Sequence, residues 1–192
     1  TVFAVLRSQV DADAPVPATA TTQGGPLTVG TSGPVVDIFE DFQCPFCQQF
    51  EATNGALLTD YAEAGKIQVN YHLASFIGQE SVRAANAAAC AADADAFPAF
   101  HATLYANQPP ERTGGFTTDE LIAHGKQVGI DSSAFKQCVR DSTYAEWVKA
   151  SQHDFDTRGL RGTPTVMIDG KVVDPTQYDA KTFKGLLDAA AS

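Results

Sequence analysis

The pattern that most constrains this chain is a strand, a helix and a second strand in direct succession over residues 35–73. PVVDIFEDF is a nearly unbroken apolar run of strand length, which is typical of a strand buried on both faces. QQFEATNGALLTDYAEAG spaces its apolar residues helically up to Gly65, and KIQVNYHL alternates apolar and polar residues. Such a unit joins two parallel strands by a right-handed crossover, so the sequence predicts an α/β fold.

The rest of the chain adds strands at both ends and helices in the middle. Residues 27–29 form a short strand, and TPTVMI and KVV flank Asp169-Gly170, a type I′ hairpin signal. Between them lie about four helices, of which one begins with a capping box at Thr117–Glu120 and another with Asp131 as its N-cap. A last helix begins after Asp179.

Composition excludes several classes of protein. The 192 residues are 44% hydrophobic and 19% charged, which is ordinary for a globular domain with a sizeable core. The formal net charge is −10 and the sequence contains no run of basic residues, so nucleic acid is not an expected partner. No apolar stretch approaches the length of a transmembrane helix.

The first 25 residues are compositionally distinct. TVFAVLRSQV has neither an initiator Met nor a basic start, and DADAPVPATATTQGG has no hydrophobic period. We interpret residues 1–25 as an extension and linker that follow a removed or missing hydrophobic segment, which favours an exported or tethered protein. The alternative is the disordered N-terminus of a cytosolic protein.

Cys44 and Cys47 lie where the buried strand ends and the helix begins, in EDFQCPFCQQF. Pro45 suits the first helical turn, so Cys44 is expected at or beside the N-cap. Unpaired backbone N–H groups and the helix dipole would stabilise its thiolate, which is the reactive form in disulfide exchange. Cys44 is therefore the expected nucleophile, and Cys47, one turn further on, the resolving partner.

A zinc site or a purely structural bridge remains an alternative for this pair. Zinc would need two further ligands, and none of the remaining candidates forms a second close pair in the sequence. Those candidates are Cys90, Cys138, His72, His101, His124 and His153. The strand-to-helix position favours a redox site, with no metal and no cofactor.

Three stretches together resemble the DsbA-type branch of the thioredoxin-fold family: VVDIFEDFQCPFC, VNYHLASFIGQESVRAANAAACAA and GTPTVMIDGK. The resemblance implies a thioredoxin fold with an inserted helical subdomain. It assigns 26–75 and 162–192 to the thioredoxin-like domain and 76–161 to the helical insertion.

The resemblance also implies roles for individual residues. Cys44 matches the nucleophile and Cys47 its buried partner. Pro164 matches the cis-proline that faces the disulfide. Thr163 matches the preceding residue, whose backbone pairs with a bound substrate peptide.

Two positions depart from the family pattern. Phe46 occupies the place where strong oxidants often carry histidine, so we expect a less oxidising potential. Ile38 occupies the place of a buried carboxylate six residues before the first cysteine. Glu40 or Asp41 could serve instead as the proton acceptor for Cys47, and the alternative is that both are solvated at a strand end.

The remaining cysteines and histidines are expected to be structural. Cys90 and Cys138 fall on predicted helices and are expected to form a disulfide in an oxidising compartment, the alternative being two separate buried thiols. His72 is expected to be hydrogen-bonded in a strand. The other three histidines are expected at the surface or its boundary.

These observations predict an extracytoplasmic thiol–disulfide oxidoreductase that introduces disulfides into exported clients through Cys44 and Cys47. The resemblance implies re-oxidation by a membrane partner of the DsbB or vitamin K epoxide reductase type. A reductase or isomerase using the same site is the main alternative. A glutathione-dependent enzyme on the related fold and a non-catalytic zinc protein are further ones.

Overall fold

The computed structural model describes residues 13–192, and the first part of the predicted N-terminal extension, residues 1–12, lies outside them. Five strands and seven α-helices are present in the described part, with one short 3-10 helix. In chain order they are β1 (Leu27–Val29), β2 (Val35–Glu40), α1 (Pro45–Glu63), β3 (Gln68–Leu73), α2 (Gln79–Ala92), α3 (Phe97–Ala106), α4 (Thr118–Gln127), α5 (Ser133–Asp141), α6 (Ala145–Thr157), β4 (Thr165–Ile168), β5 (Lys171–Val172), the 3-10 helix Pro175–Gln177, and α7 (Ala180–Ala190).

The five strands form one sheet in the order β1-β3-β2-β4-β5. β2 and β3 are parallel, with Val36 opposite Val69 and Ile38 opposite Tyr71, whereas the other neighbours are antiparallel. This confirms the α/β class and the parallel pair predicted from the strand–helix–strand pattern. The central position of β2 explains its apolar run, because both of its faces are covered.

The helices α2 to α6 lie between β3 and β4 in the chain, over residues 79–157. Seven alanines of α2 are buried, and this helix contacts α3, α4, α5 and α6. Small side chains let several helices approach one axis closely. The predicted insertion at 76–161 covers this group of helices.

A disulfide between Cys90 and Cys138 joins α2 to α5, with an S–S distance of 2.05 Å. Cys90 is buried and Cys138 packs against the edge of the core. The bridge links residues 48 positions apart, so it closes a long loop within the helical group.

Helix starts follow the sequence signals with one exception. Thr117 and Glu120 form the predicted capping box. The predicted N-cap Asp131 is wrong, because the hydroxyl of Ser132 accepts from the Phe135 N–H and caps α5 instead. Asp131 pairs with Lys136 at 2.5 Å.

The part of the expected extension and linker that the structure describes, residues 13–25, packs against the rest of the chain. The Ala18 N–H donates to Asp93 at 3.0 Å, and Val16 packs against the core. Gly24 has φ +70°, and a Cβ there would lie 2.5 Å from the carbonyl carbon of Ala150. The segment docks through backbone groups and through a few small apolar side chains, and neither produces a hydrophobic period in the sequence. Among the described residues, no helix is long and apolar enough to cross a membrane.

The Cys90–Cys138 bridge gives a first prediction. Replacing both cysteines with alanine should lower the free energy of unfolding by about 2–4 kcal/mol, because the unfolded chain regains the entropy of the closed loop. Urea titration of the two proteins measures the difference. A reductant should bring the parent close to the variant, and equal stabilities without reductant would contradict the prediction.

Candidate active site

The turn between β2 and α1 places Cys44 at the N-cap of the helix, with Pro45 at the first helical position. The Cys44 N–H donates to the Asp41 carbonyl at 2.9 Å, which closes the turn. The extended backbone of Cys44 (φ −73°, ψ 117°) is that of an N-cap residue. The side chain therefore lies beside the first, unpaired N–H groups of α1.

Asp41 holds this turn through a buried carboxylate. One of its oxygens accepts from the Gln43 N–H at 2.9 Å and from the Ser81 hydroxyl at 2.6 Å. The other accepts from the Ile77 N–H at 3.2 Å. Burial raises the pKa of Asp41, and these donors oppose the rise. Both oxygens are occupied locally, so the structure gives Asp41 an anchoring position.

Cys44 and Cys47 are both free thiols, and they differ in environment. Cys44 is 5% exposed and Cys47 is 0% exposed. A hydrogen bond from the Cys47 thiol lowers the pKa of Cys44 to about 6; burial opposes this effect, while Thr163 and the N–H groups of Phe46 and Cys47 add to it. Burial raises the pKa of Cys47 well above its ordinary value, and the Cys44 hydrogen bond and the charge on Glu40 raise it further.

The loop before β4 faces this pair. The peptide bond between Thr163 and Pro164 is cis, and the Thr163 carbonyl oxygen lies 3.4 Å from Cys44 Sγ. Antiparallel pairing of β2 with β4 places Thr165 opposite Phe39, which brings the loop alongside the end of β2. The chain thus places Cys44, Cys47, Thr163 and Pro164 in one site.

Glu40, at the end of β2, is buried and pairs with a histidine from the helical group. His101 Nε2 lies 2.5 Å from Glu40 Oε1, and His101 Nδ1 lies 3.9 Å from Glu51 Oε2. All three side chains are at least 95% buried. A solvated Glu40 is thus excluded.

The expectation that His101 lies at the surface or its boundary is wrong. The ring packs against Phe42, Tyr71, Phe97 and Tyr105, with centroids 4.6–5.6 Å away. The sequence did carry a signal: His101 lies four residues after Phe97 and four before Tyr105, on one helical face. Its burial also explains how Glu40 can lie in the core.

Burial sets the protonation of this cluster. It would lower the pKa of His101, but the charges on Glu40 and Glu51 outweigh it and the pKa is raised. Burial raises the pKa of Glu51 to about 8, with His101 opposing and Glu40 adding to the rise. Burial also raises the pKa of Tyr71 and Tyr105 well above their ordinary values, so both stay neutral.

An apolar groove adjoins Cys44. Phe46 is 69% exposed at one side, and the groove continues past Pro164 to Tyr178, enclosing a cavity of about 600 Å³. Phe50 lies in its wall. Large exposed apolar side chains beside a reactive thiol suit a peptide ligand.

The geometry gives no support to zinc at Cys44 and Cys47. Within residues 13–192, neither belongs to a group of three metal-ligating side chains close enough to hold one ion. Cys90 and Cys138 are bonded to each other, and His72 Nε2 lies 2.8 Å from Asp37. The one convergent group in the described part of the chain is Glu40, Glu51 and His101. An ion there would have to displace the hydrogen bond between His101 and Glu40, so we assign no metal site.

Comparisons with known proteins agree with this geometry. A family model described as Thioredoxin matches residues 23–189. The structure is similar to MdbA, a thiol-disulfide oxidoreductase from Actinomyces oris, with TM-score 0.78, 25% identity and coverage of 91% of this chain and 92% of that one. It is also similar to the reduced disulfide bond oxidoreductase DsbG from Mycobacterium tuberculosis, with TM-score 0.68, 27% identity and coverage of 88% and 93%.

The chain also resembles part of a longer protein that is named as an antiporter. The chain is 28% identical over 133 residues to Na(+)/H(+) antiporter NhaA 1 of Salinispora arenicola, a match that covers 69% of this chain and 20% of the relative. The chain spans about a fifth of the length of the curated relatives it matches.

The environment of Cys44 predicts its reactivity. Alkylation of the reduced protein by iodoacetamide should reach half its maximal rate near pH 6, because the thiolate is the reactive form and its pKa is about 6. An ordinary cysteine would do so near pH 8.5. Mass spectrometry of the Cys44 peptide across pH 4–9 measures the profile, and a midpoint near 8.5 would contradict the assignment of Cys44 as the nucleophile.

Proposed function

We propose that this chain, which belongs to the thioredoxin family, is a DsbA-type thiol–disulfide oxidoreductase that introduces disulfide bonds into exported proteins. One observation carries the proposal: Cys44, with its lowered pKa, sits at a helix N-cap opposite Thr163 and Pro164, while its partner Cys47 is fully buried. That asymmetry gives the two sulfurs separate tasks.

The reaction begins on the oxidised protein, in which Cys44 and Cys47 are bonded. A client thiolate attacks Cys44 Sγ, because Cys47 Sγ is inaccessible. The bond between Cys44 and the client forms, the Cys44–Cys47 bond breaks, and its electron pair goes to Cys47. A second client thiolate attacks the client sulfur of the mixed disulfide and releases Cys44, which leaves readily because its thiolate is stable.

The groove beside Cys44 is the proposed client site. Pairing of an extended client with the backbone at Thr163 would place its cysteine beside Cys44 Sγ, which lies 3.4 Å from the Thr163 carbonyl. Phe46 and Tyr178 line the groove that such a segment would cross. Apolar contacts of this kind favour unfolded clients of many sequences over one defined partner.

The direction of electron flow follows from which redox state the site stabilises. At pH 7 Cys44 is mostly thiolate, whereas an ordinary cysteine is mostly protonated. This difference stabilises the reduced protein by about 1.4 kcal/mol, equivalent to about 30 mV for a two-electron couple. Stabilisation of the reduced protein favours the direction in which its clients are oxidised.

The proposed location is extracytoplasmic, and the proposed partner for re-oxidation is a membrane oxidase of the DsbB or vitamin K epoxide reductase type. The Cys90–Cys138 bridge supports an oxidising compartment, since stable disulfides are rare in the cytosol. The second half of the cycle needs such an oxidant, because oxidation of each client leaves Cys44 and Cys47 as a dithiol.

A reductase or isomerase is the alternative function on the same site. Phe46 supports it to a degree, because its side chain carries no charge and donates no hydrogen bond to the Cys44 thiolate. The lowered pKa of Cys44 favours the oxidase.

The reduction potential of the Cys44–Cys47 couple decides between them. We expect a value clearly above that of thioredoxin, roughly −270 mV, because the Cys44 thiolate stabilises the reduced protein. Equilibration with glutathione buffers followed by alkylation measures it. The Cys90→Ala/Cys138→Ala protein serves as the control that isolates this couple, and a potential at or below thioredoxin's would exclude the oxidase.

The residue between the cysteines gives a further prediction. Phe46→His should raise the potential by roughly 30 mV or more, because an imidazole beside Cys44 can stabilise its thiolate and each 30 mV corresponds to a tenfold change in the exchange equilibrium. The same glutathione titration measures the change. Phe46→Leu, which adds no charge, should leave the potential near that of the parent, and equal potentials for the two variants would contradict the explanation.

A further inference from the structure

The buried Cys47 sulfur needs a source of protons. When the disulfide opens, Cys47 leaves as a thiolate in a place where burial strongly favours the thiol. When the protein is re-oxidised, the same thiol must lose its proton before it can attack. A nearby group must therefore give and take one proton in each cycle.

Glu40 is in position to pass that proton. Glu40 ends β2 and Cys47 lies in the first turn of α1, and the short turn between them is closed by the bond from the Cys44 N–H to the Asp41 carbonyl. Both side chains are fully buried, and the charge on Glu40 raises the pKa of the Cys47 thiol. One carboxylate oxygen binds His101, whereas the other, Oε2, is buried with no hydrogen-bond partner among the described residues. That second oxygen is available to a proton exchanged with Cys47.

His101 is placed to supply Glu40. Its Nε2 lies 2.5 Å from Glu40 Oε1, and Glu51 Oε2 lies 3.9 Å from the other ring nitrogen. Glu51 and His101 also line a cavity of about 830 Å³ between α1 and α3. Nε2 is the ring nitrogen in hydrogen-bond contact with Glu40, so it is the one that exchanges the proton.

We propose that His101 stores the proton of the buried thiol and exchanges it with Cys47 through Glu40. When a client thiolate forms its bond to Cys44 and the Cys44–Cys47 bond breaks, the electron pair goes to Cys47. Glu40 takes the Nε2 proton of His101 and gives a proton to the Cys47 sulfur, so that the carboxylate is regenerated and the ring is left neutral. In re-oxidation the proton returns along the same path.

The inference rests on the proposed redox function of Cys44 and Cys47, but not on the direction of electron flow. His101 acts through Glu40 and is a positioning residue. Other titratable groups face this cluster from each adjoining element: Cys44 at the start of α1, Asp41 in the turn, Tyr71 on β3 and Tyr105 on α3. The two tyrosines stay neutral, and Asp41 is engaged by Gln43, Ile77 and Ser81.

The test is the rate at which Cys47 closes the disulfide. Reduced protein is converted to a mixed disulfide of Cys44 with glutathione, and the release of glutathione is followed from pH 5 to 9. His101→Gln should slow release at pH 7 on the order of 10²-fold, as expected for loss of a general acid–base group, and should change its pH profile. The double variant Glu40→Gln/His101→Gln should be no slower than Glu40→Gln, because both act on one path.

His72→Gln is the matched control. His72 is also largely buried and also pairs through Nε2 with a carboxylate, Asp37, at 2.8 Å. This variant should release glutathione at the parental rate. Alkylation of Cys44 should be unchanged in His101→Gln, which separates loss of the proton path from damage to the nucleophile. A parental release rate and pH profile in His101→Gln would overturn the proposal.

Two further measurements remain decisive if His101→Gln folds poorly. His101→Ala opens space beside the cavity, and added imidazole should restore its release rate but not that of Glu40→Gln. In the unaltered oxidised protein, nitrogen NMR should show both ring nitrogens of His101 protonated at pH 7. A neutral ring there would overturn the proposal. If the proposed oxidase function is wrong, the reduction potential will be low while His101→Gln still slows the release of glutathione.

Discussion

The hydrogen bonds that the Asp41 carboxylate accepts in the turn after β2 are the constraint on which the geometry of the site depends. The two carboxylate oxygens take donors from the turn itself, from Ile77 and from Ser81 at the start of α2. One buried carboxylate thus ties the sheet, the first turn of α1 and the helical group together. The bond from the Cys44 N–H to the Asp41 carbonyl acts in the same turn, so Asp41 positions Cys44 through its backbone as well as its side chain. Several hydrogen bonds to one carboxylate also offset the cost of burying it.

From that position, two nearby sulfurs acquire opposite properties. Cys44 accepts hydrogen bonds from Cys47 and from the first backbone N–H groups of α1, and its pKa falls to about 6. The pKa of the Cys47 thiol is raised, because the thiol is buried and because the charge on Glu40 opposes its ionisation. The same contact between the thiols lowers one pKa and raises the other. A single helix turn therefore supplies both the nucleophile and the partner that must be protonated and deprotonated.

Local patterns predicted most of the fold, and long-range contacts account for what they missed. The apolar run of β2, the alternation of β3 and the Asp169-Gly170 turn are properties of neighbouring residues, and each predicted its element. The burial of His101 depends on the contact of α3 with Glu40 of β2, 61 residues earlier in the chain. The periodicity of a single strand or helix cannot predict a contact between two such distant residues. The packing of residues 13–25 likewise depends on contacts with distant residues, Asp93 and Ala150, that composition does not report.

The proposed role of Glu40 would compensate for the departure of Ile38 from the pattern of the family that the chain resembles. Ile38 stands where that pattern has an acid, but residues 38 and 40 point to the same face of a strand. Glu40 therefore enters the same interior roughly 7 Å closer to the cysteines. A carboxylate moved into a fully buried place would be costly without a partner, and His101 provides it from the helical group. The helical group thus contributes to the redox site itself as well as covering it, because the charge balance beneath Cys47 is completed only when α3 packs against β2.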